Sequence, residues 1–123
     1  MNKYDLENRL IEFAVLSIEI SNILPQTTSG KHLSGQLARS GTSPALNYGE
    51  AQSAESRKDF IHKIKVILKE LRESMICIEI IKRSKINSNY DLLDRGYKEC
   101  NELISIFMKT VKTTQDNINK GMK

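Results

Sequence analysis

Apolar side chains return at alternating spacings of four and three residues along most of this 123-residue chain. The first stretch shows the pattern most clearly, at Leu6, Leu10, Phe13, Ser17, Ile20 and Leu24. Such spacing is typical of α-helices that bury one face. It predicts three helices, over residues 4–24, 54–85 and 90–118. Four further apolar residues widen the apolar face of the first helix, which suits a bundle or an oligomer: Ile11, Val15, Ile18 and Ile23.

The remaining segment, residues 31–52, is rich in Gly, Ala, Ser and Thr, so that neighbouring helices could approach it closely. Pro44 lacks a backbone donor and crowds the carbonyl group of Ser40. We therefore predict a second helix that is kinked or briefly broken near Pro44. Ser53 is the expected N-cap of the third helix.

Short loops between four long helices favour antiparallel neighbours. The predicted fold is an all-α, up-down-up-down four-helix bundle that occupies residues 1–123 as a single domain. Aromatic residues make up only 6% of the chain, which also argues against a fold built from strands.

Neither the N-terminus nor any apolar run indicates export or membrane insertion. Residues 1–5 are polar, and no apolar run reaches the ~18–20 residues of a membrane span. We expect a cytoplasmic protein without membrane contact. Cys77 and Cys100 lie in apolar helical stretches and are expected to be buried hydrophobic residues, not metal ligands or nucleophiles.

The excess positive charge lies in the third predicted helix. Residues 54–85 contain nine Lys or Arg against five Asp or Glu, and the rest of the chain has ten of each sign. Five basic residues follow helical spacing and define what we call the basic row: Lys58, His62, Lys65, Lys69 and Arg72. At about 100° per residue, Lys58 lies roughly 160° from the apolar Phe60, so the basic row should point outward.

The basic row has two interpretations. It can follow the phosphates of RNA or DNA, because each such contact adds salt-dependent affinity. It can also be an ordinary solvated face, neutralised by i,i+4 pairs of about 0.3 kcal/mol each. The candidate pairs are Asp59–Lys63, Lys69–Glu73 and Glu79–Arg83. No aromatic residue is interleaved with the row to stack on bases.

The familiar catalytic and metal-binding motifs are missing. The chain has two histidines, His32 and His62, and no CxxC, HExxH or phosphate-binding glycine loop. Ser40 and Ser43 have no neighbouring histidine in the sequence to activate them. We expect no enzyme activity, no catalytic residues, no metal and no cofactor.

The second segment carries a polar motif among its small residues, formed by Gln36, Arg39, Asn47 and Glu50. These groups can hydrogen-bond one another and the backbone near Pro44, or they can contact a ligand or another subunit. We favour a structural or subunit-contact role.

The same stretch resembles the hallmark of the four-helix bundle protein family, also called the 23S rRNA intervening-sequence protein family. The resemblance is carried by residues 36–51, QLARSGTSPALNYGEA, and continues through SAESRKDFIHK at 53–63 and LKELRES at 68–74. Many members have an arginine pair where this chain has Ala38-Arg39, and Ala-Glu-Gly where it has Gly49-Glu50-Ala51.

The resemblance implies an antiparallel bundle that assembles into a homopentameric barrel. Some members of this family are encoded within insertions in ribosomal RNA genes. A related group, the accessory proteins of diversity-generating retroelements, binds a reverse transcriptase and nucleic acid through a basic surface. The expected function is therefore that of an oligomeric protein that binds RNA, DNA or a nucleic-acid enzyme through the basic row. The alternative is a purely structural or protein-interaction module.

Overall fold

A computed structural model describes residues 1–121, which form four α-helices and no strand. The helices are α1 (Lys3–Asn22), α2 (Thr28–Ala51), α3 (Arg57–Ser84) and α4 (Tyr90–Asn119). The prediction of four helices is confirmed, although α2 begins before the expected residue 31.

The start of α3 corrects the predicted N-cap. The cap is Ser56, whose hydroxyl accepts a hydrogen bond from the backbone N–H of Asp59 at 3.0 Å. Ser53 lies in the turn that follows α2. The choice has a physical reason, because Ser56 places the acidic Asp59 in the first turn, where the helix dipole favours negative charge.

The helices pack as a ring of neighbours. α2 packs against α1 and α3, and α4 packs against α3 and, much less extensively, against α1. The result is the predicted antiparallel four-helix bundle. Its sparse α1–α4 seam is joined by an ion pair in which Arg9 Nε donates to Glu99 Oε1 at 2.7 Å.

The helix α2 continues through Pro44 without the brief break that we allowed for. Pro44 itself is buried. The small residues around it permit close helix contacts: a Cβ atom added to Gly41 would overlap the side chain of Ser17 on α1. On the other side of α2, the hydroxyl groups of Ser40 and Ser74 of α3 hydrogen-bond at 2.9 Å within the core.

This contact predicts opposite effects for two glycine substitutions. Gly41→Ala should lower the free energy of unfolding by about 1–3 kcal/mol, because α1 and α2 must separate to accommodate the added methyl group. Gly35→Ala is the control: no atom lies within 4 Å of its added Cβ, and alanine should stabilise the helix by about 0.5–1 kcal/mol. Urea unfolding measures both. Equal effects would contradict the close α1–α2 contact.

The core follows the predicted faces. The six repeating positions predicted for the first helix are all buried, the last of them, Leu24, just beyond the end of α1. The Phe107 ring of α4 meets the Tyr48 ring of α2 edge-on, with centroids 5.8 Å apart. The four apolar residues that we expected to widen this buried face are exposed instead: Ile11, Val15, Ile18 and, just beyond α1, Ile23. The first three lie on the side of α1 opposite its buried face, and we call them the α1 stripe. None of the helices within residues 1–121 combines the length and apolar character needed to cross a membrane.

Candidate nucleic-acid interface

The basic row lies on the outer face of α3. All five of its side chains, Lys58, His62, Lys65, Lys69 and Arg72, are exposed. The buried residues of α3 lie on the opposite side of the helix, against α2 and α4. The spacing therefore predicted correctly where the row points, and its role in binding stays a prediction.

The acidic residue that was expected to neutralise the basic row is engaged elsewhere. Of the three predicted i,i+4 pairs, only Arg83–Glu79 forms, at 2.7 Å. Lys63 instead contacts Glu50 of α2 at 3.2 Å. Glu73, the expected partner of Lys69, accepts a hydrogen bond from Arg39 of α2 at 2.8 Å.

As a result, the basic row keeps its positive charge. Within residues 1–121, the ion pairs involve Arg9, Arg39, Lys63, Lys82 and Arg83, and none involves a member of the row. Three lysine side chains and one arginine side chain thus face solvent together, at Lys58, Lys65, Lys69 and Arg72. Such a row is an electrostatic surface suited to an anionic polymer.

The polar motif of α2 joins α2 to α3. Arg39 Nη1 donates to Glu70 at 2.9 Å, while its Nη2 donates to Glu73. The Glu70 residue is only 7% exposed, so the guanidinium neutralises a carboxylate at the edge of the core. The hydrogen bond to Glu73, together with the charge of Glu70, raises the pKa of the Arg39 guanidinium.

The four motif residues are not brought together as a cluster. Arg39 and Glu50 each reach α3, whereas Asn47 donates to the carbonyl oxygen and the hydroxyl group of Ser43 on its own helix, at 3.0 and 2.8 Å. Gln36 is half-buried on α2. The observed contacts of Arg39 and Glu50 are structural, and a subunit-contact role for the motif stays a prediction.

Beside the basic row, a groove of about 560 Å³ separates α3 from the C-terminal part of α4. We call it the basic groove. Its lining residues are Lys65, Leu68, Arg72, Met108, Val111, Lys112, Gln115 and Asp116. Two members of the basic row thus form one side, and Lys112 of α4 adds a third cation on the other.

Both cysteines are buried, as predicted. Burial raises the pKa of the Cys77 thiol to about 11 and that of Cys100 to about 12. The Cys100 thiol also donates to the carbonyl oxygen of Leu71 at 3.0 Å. Thiols with such pKa values remain protonated at neutral pH and make poor nucleophiles. Residues 1–121 contain no group of three or more His, Cys, Asp or Glu placed to hold a metal ion.

A sequence profile of 23S rRNA-intervening sequence proteins matches residues 2–109. The chain belongs to this family. Among solved structures, it is similar to a protein of unknown function from the S23 ribosomal protein family of Bacteroides thetaiotaomicron, with 28% identity and a TM-score of 0.81. That similarity covers 91% of this chain and 99% of the other. A comparison with curated proteins gives no match.

Two features of the surface were missed from the sequence. The first is Lys112, the cation that α4 contributes to the basic groove. It lies beyond residue 109, where the match to the 23S rRNA-intervening sequence protein family ends. The second feature is that the basic row continues along the same face of α3 as apolar residues: Ile76 is 59% and Ile80 48% exposed. Their spacing of four from Arg72 was the available signal.

These two isoleucines line a second groove between α3 and α4, of about 550 Å³, which we call the apolar groove. Its lining residues are Met75, Ile76, Glu79, Ile80, Arg83, Ser84 and Tyr97. The outer face of α3 is therefore basic in its N-terminal half and apolar in its C-terminal half.

Proposed function

We propose that the protein is a non-catalytic, self-associating bundle that binds nucleic acid through the basic row. The observation that carries the proposal is the exposed row itself, whose one predicted acidic partner, Glu73, is engaged by Arg39. Arg39 holds Glu73 away from Lys69, and Glu50 pairs with Lys63 beside the row. The charge that could have been neutralised within α3 therefore remains available to a partner.

The dimensions of the row suit a phosphate backbone. From Lys58 to Arg72 it extends about 21 Å along α3, at 1.5 Å per residue. Over this length a nucleic acid presents several phosphates, and each contact with Lys or Arg releases bound counterions. RNA is the first ligand to test, because the family is named after an intervening sequence of 23S rRNA.

The test is a salt titration of RNA and DNA binding. Replacing Lys58, Lys65, Lys69 and Arg72 with Gln should reduce the slope of log K against log salt by about 3, since each lost contact removes about 0.7–0.9. A matched control removes the same charge elsewhere, at four exposed lysines outside the row: Lys31, Lys98, Lys109 and Lys120. This control should bind almost as the wild type does.

Two results would overturn the role of the basic row. One is that the wild-type protein binds neither RNA nor DNA at low salt. The other is that the two four-residue variants lose affinity equally, because non-specific net charge would then explain the binding.

Self-association is supported by two exposed apolar surfaces. The α1 stripe lies on the outer side of α1, and the apolar groove lies between α3 and α4. Contiguous exposed apolar residues typically mark surfaces that contact another protein. A five-fold assembly would repeat the basic row five times and strengthen binding to a long polymer by avidity.

The same surfaces favour a second candidate function, a protein-interaction module without a nucleic-acid role. In that case the row is a solvated face, and the four-residue Gln variant should assemble and bind protein partners as the wild type does. The salt titration separates the two functions, since only the first predicts a loss of nucleic-acid affinity that is specific to substitutions in the basic row.

A further inference from the structure

We infer that the basic groove holds a single nucleic-acid strand, with Lys112 of α4 contacting phosphate from the side opposite Lys65 and Arg72. The inference rests on the proposed function and specifies its ligand. It adds a contact that lies outside the outer face of α3 and outside residues 2–109, the region that matches the family.

The cations stand on both sides of the groove. Lys65 and Arg72 line it from α3, and Lys112 lines it from α4. All three side chains are exposed, and none takes part in the ion pairs found within residues 1–121. Asp116 is the only acidic residue among the lining side chains described, so the groove is positive overall.

Between the cations, the floor of the groove is apolar. Leu68 is a buried member of the core, and Val111 packs partly buried against the same core cluster. Met108 is 51% exposed and offers a flexible, polarisable surface to a ligand. A ligand that fits this arrangement carries negative charge along its edges and flat apolar faces between them.

A single strand has these properties and a duplex does not. Proteins that bind single strands combine a positive groove for the backbone with aromatic side chains on which bases stack. In the basic groove, the apolar side chains of Met108 and Val111 would take the place of the aromatic ones. A duplex keeps its bases stacked inside and would present only phosphates, leaving Met108 and Val111 without a partner. Leu68, Met108 and Val111 have no hydrogen-bond donor for base edges, and the amide of the lining residue Gln115 donates to Asn119 at 3.2 Å, so we expect little sequence preference.

The experiment measures anisotropy of a labelled oligouridylate of about 12 nucleotides and of an RNA hairpin duplex over a range of salt concentrations. Lys112→Gln should raise the Kd for the single strand about fivefold at low salt and reduce the salt slope by about 0.7. Met108→Ser should weaken single-strand binding and leave the salt slope unchanged. The control is Lys109→Gln, an exposed lysine that lines a separate depression with Ile106 and Thr113.

The outcomes distinguish this inference from the function on which it rests. If the four-residue Gln variant of the basic row loses binding but Lys112→Gln behaves like Lys109→Gln, binding in the basic groove is contradicted and binding along the basic row is retained. Tighter binding of the duplex than of the single strand would also contradict the proposal that the basic groove holds a single strand. If the wild-type protein binds neither probe at low salt, both proposals fail.

Discussion

A mixture of two variants that each fail to assemble, Val15→Glu and Ile80→Glu, should form a dimer. Each variant alone should be a monomer, and the wild-type protein should form a larger, closed assembly. The reason is that the two exposed apolar surfaces are different and lie on different helices. The α1 stripe lies on α1, where Ile11 and Val15 border a depression towards α4, and the apolar groove lies between α3 and α4. We expect the α1 stripe of one copy to dock into the apolar groove of the next.

Charge supports the same pairing. Glu12 and Glu19 are exposed beside the α1 stripe, and Arg72 is exposed one turn before the two exposed isoleucines of α3, whereas Arg83 after them is already paired with Glu79. An interface between unlike surfaces is heterologous, and repeated copies of it close into a ring if the rotation permits. The five-fold ring implied by the family resemblance is one such closed form.

The mixture works because each variant retains one intact surface. Val15→Glu places a charge in the stripe and leaves the groove intact, while Ile80→Glu does the reverse. The stripe of one variant can therefore dock into the groove of the other. Growth stops there, because each of the two remaining surfaces carries a glutamate whose charge would have to be buried on docking. Light scattering measures the mass of the two variants separately and of their mixture.

Leu46→Glu is the control, since Leu46 is 71% exposed on α2 and belongs to neither surface. It should assemble like the wild type. A symmetric contact between two α1 stripes predicts a different outcome: Val15→Glu would be a monomer, Ile80→Glu would assemble normally, and mixing would add nothing. That result would contradict the heterologous interface.

The apolar periodicity predicted three of the four helices and their buried faces, because a spacing of four and three fixes which side of a helix is apolar. It could not say which of two apolar sides is buried. On α1, Leu10 and Phe13 are buried while Ile11 and Val15 are exposed, and both sets follow helical spacing. Burial is decided by where α2 and α4 lie, which is a property of the assembled bundle.

The electrostatics of the candidate site were harder to predict. Sequence spacing suggested that Lys69 pairs with Glu73 four residues away, but the partner of Glu73 is Arg39, 34 residues earlier. A local pair is worth only about 0.3 kcal/mol, so a guanidinium on a neighbouring helix that binds Glu70 and Glu73 together can readily displace it. Lys112 was missed for a similar reason, because a groove between two helices has no signature in either helix alone.

Replacement of Arg39 by Met should both destabilise the bundle and weaken nucleic-acid binding. Met preserves much of the side-chain volume but leaves the Glu70 carboxylate, at the buried edge of α3, without its partner at 2.9 Å. Breaking a fully buried pair costs about 3–5 kcal/mol, and the half-exposed Arg39 reduces the expected loss to about 2 kcal/mol. Urea unfolding measures this change in the free energy of unfolding.

The effect on binding follows from Glu73. Once released from Arg39, its carboxylate is free to pair with Lys69, four residues earlier on α3, and to neutralise the middle of the basic row. We expect the Kd for RNA to rise about fivefold at low salt, close to the loss of one phosphate contact. Adding Glu73→Gln to the Arg39→Met variant should restore binding without restoring stability.

The two functions of Arg39 can therefore be separated by a double-mutant cycle. Arg39→Met should cost much less stability in a Glu70→Gln background, because the buried carboxylate is already absent. Arg39→Lys retains the charge but cannot donate to Glu70 and Glu73 through a planar guanidinium. Its free energy of unfolding should therefore lie between those of the wild type and the Arg39→Met variant. If Arg39→Met lowers stability but leaves RNA binding unchanged, the affinity of the basic row does not depend on the hydrogen bond between Arg39 and Glu73.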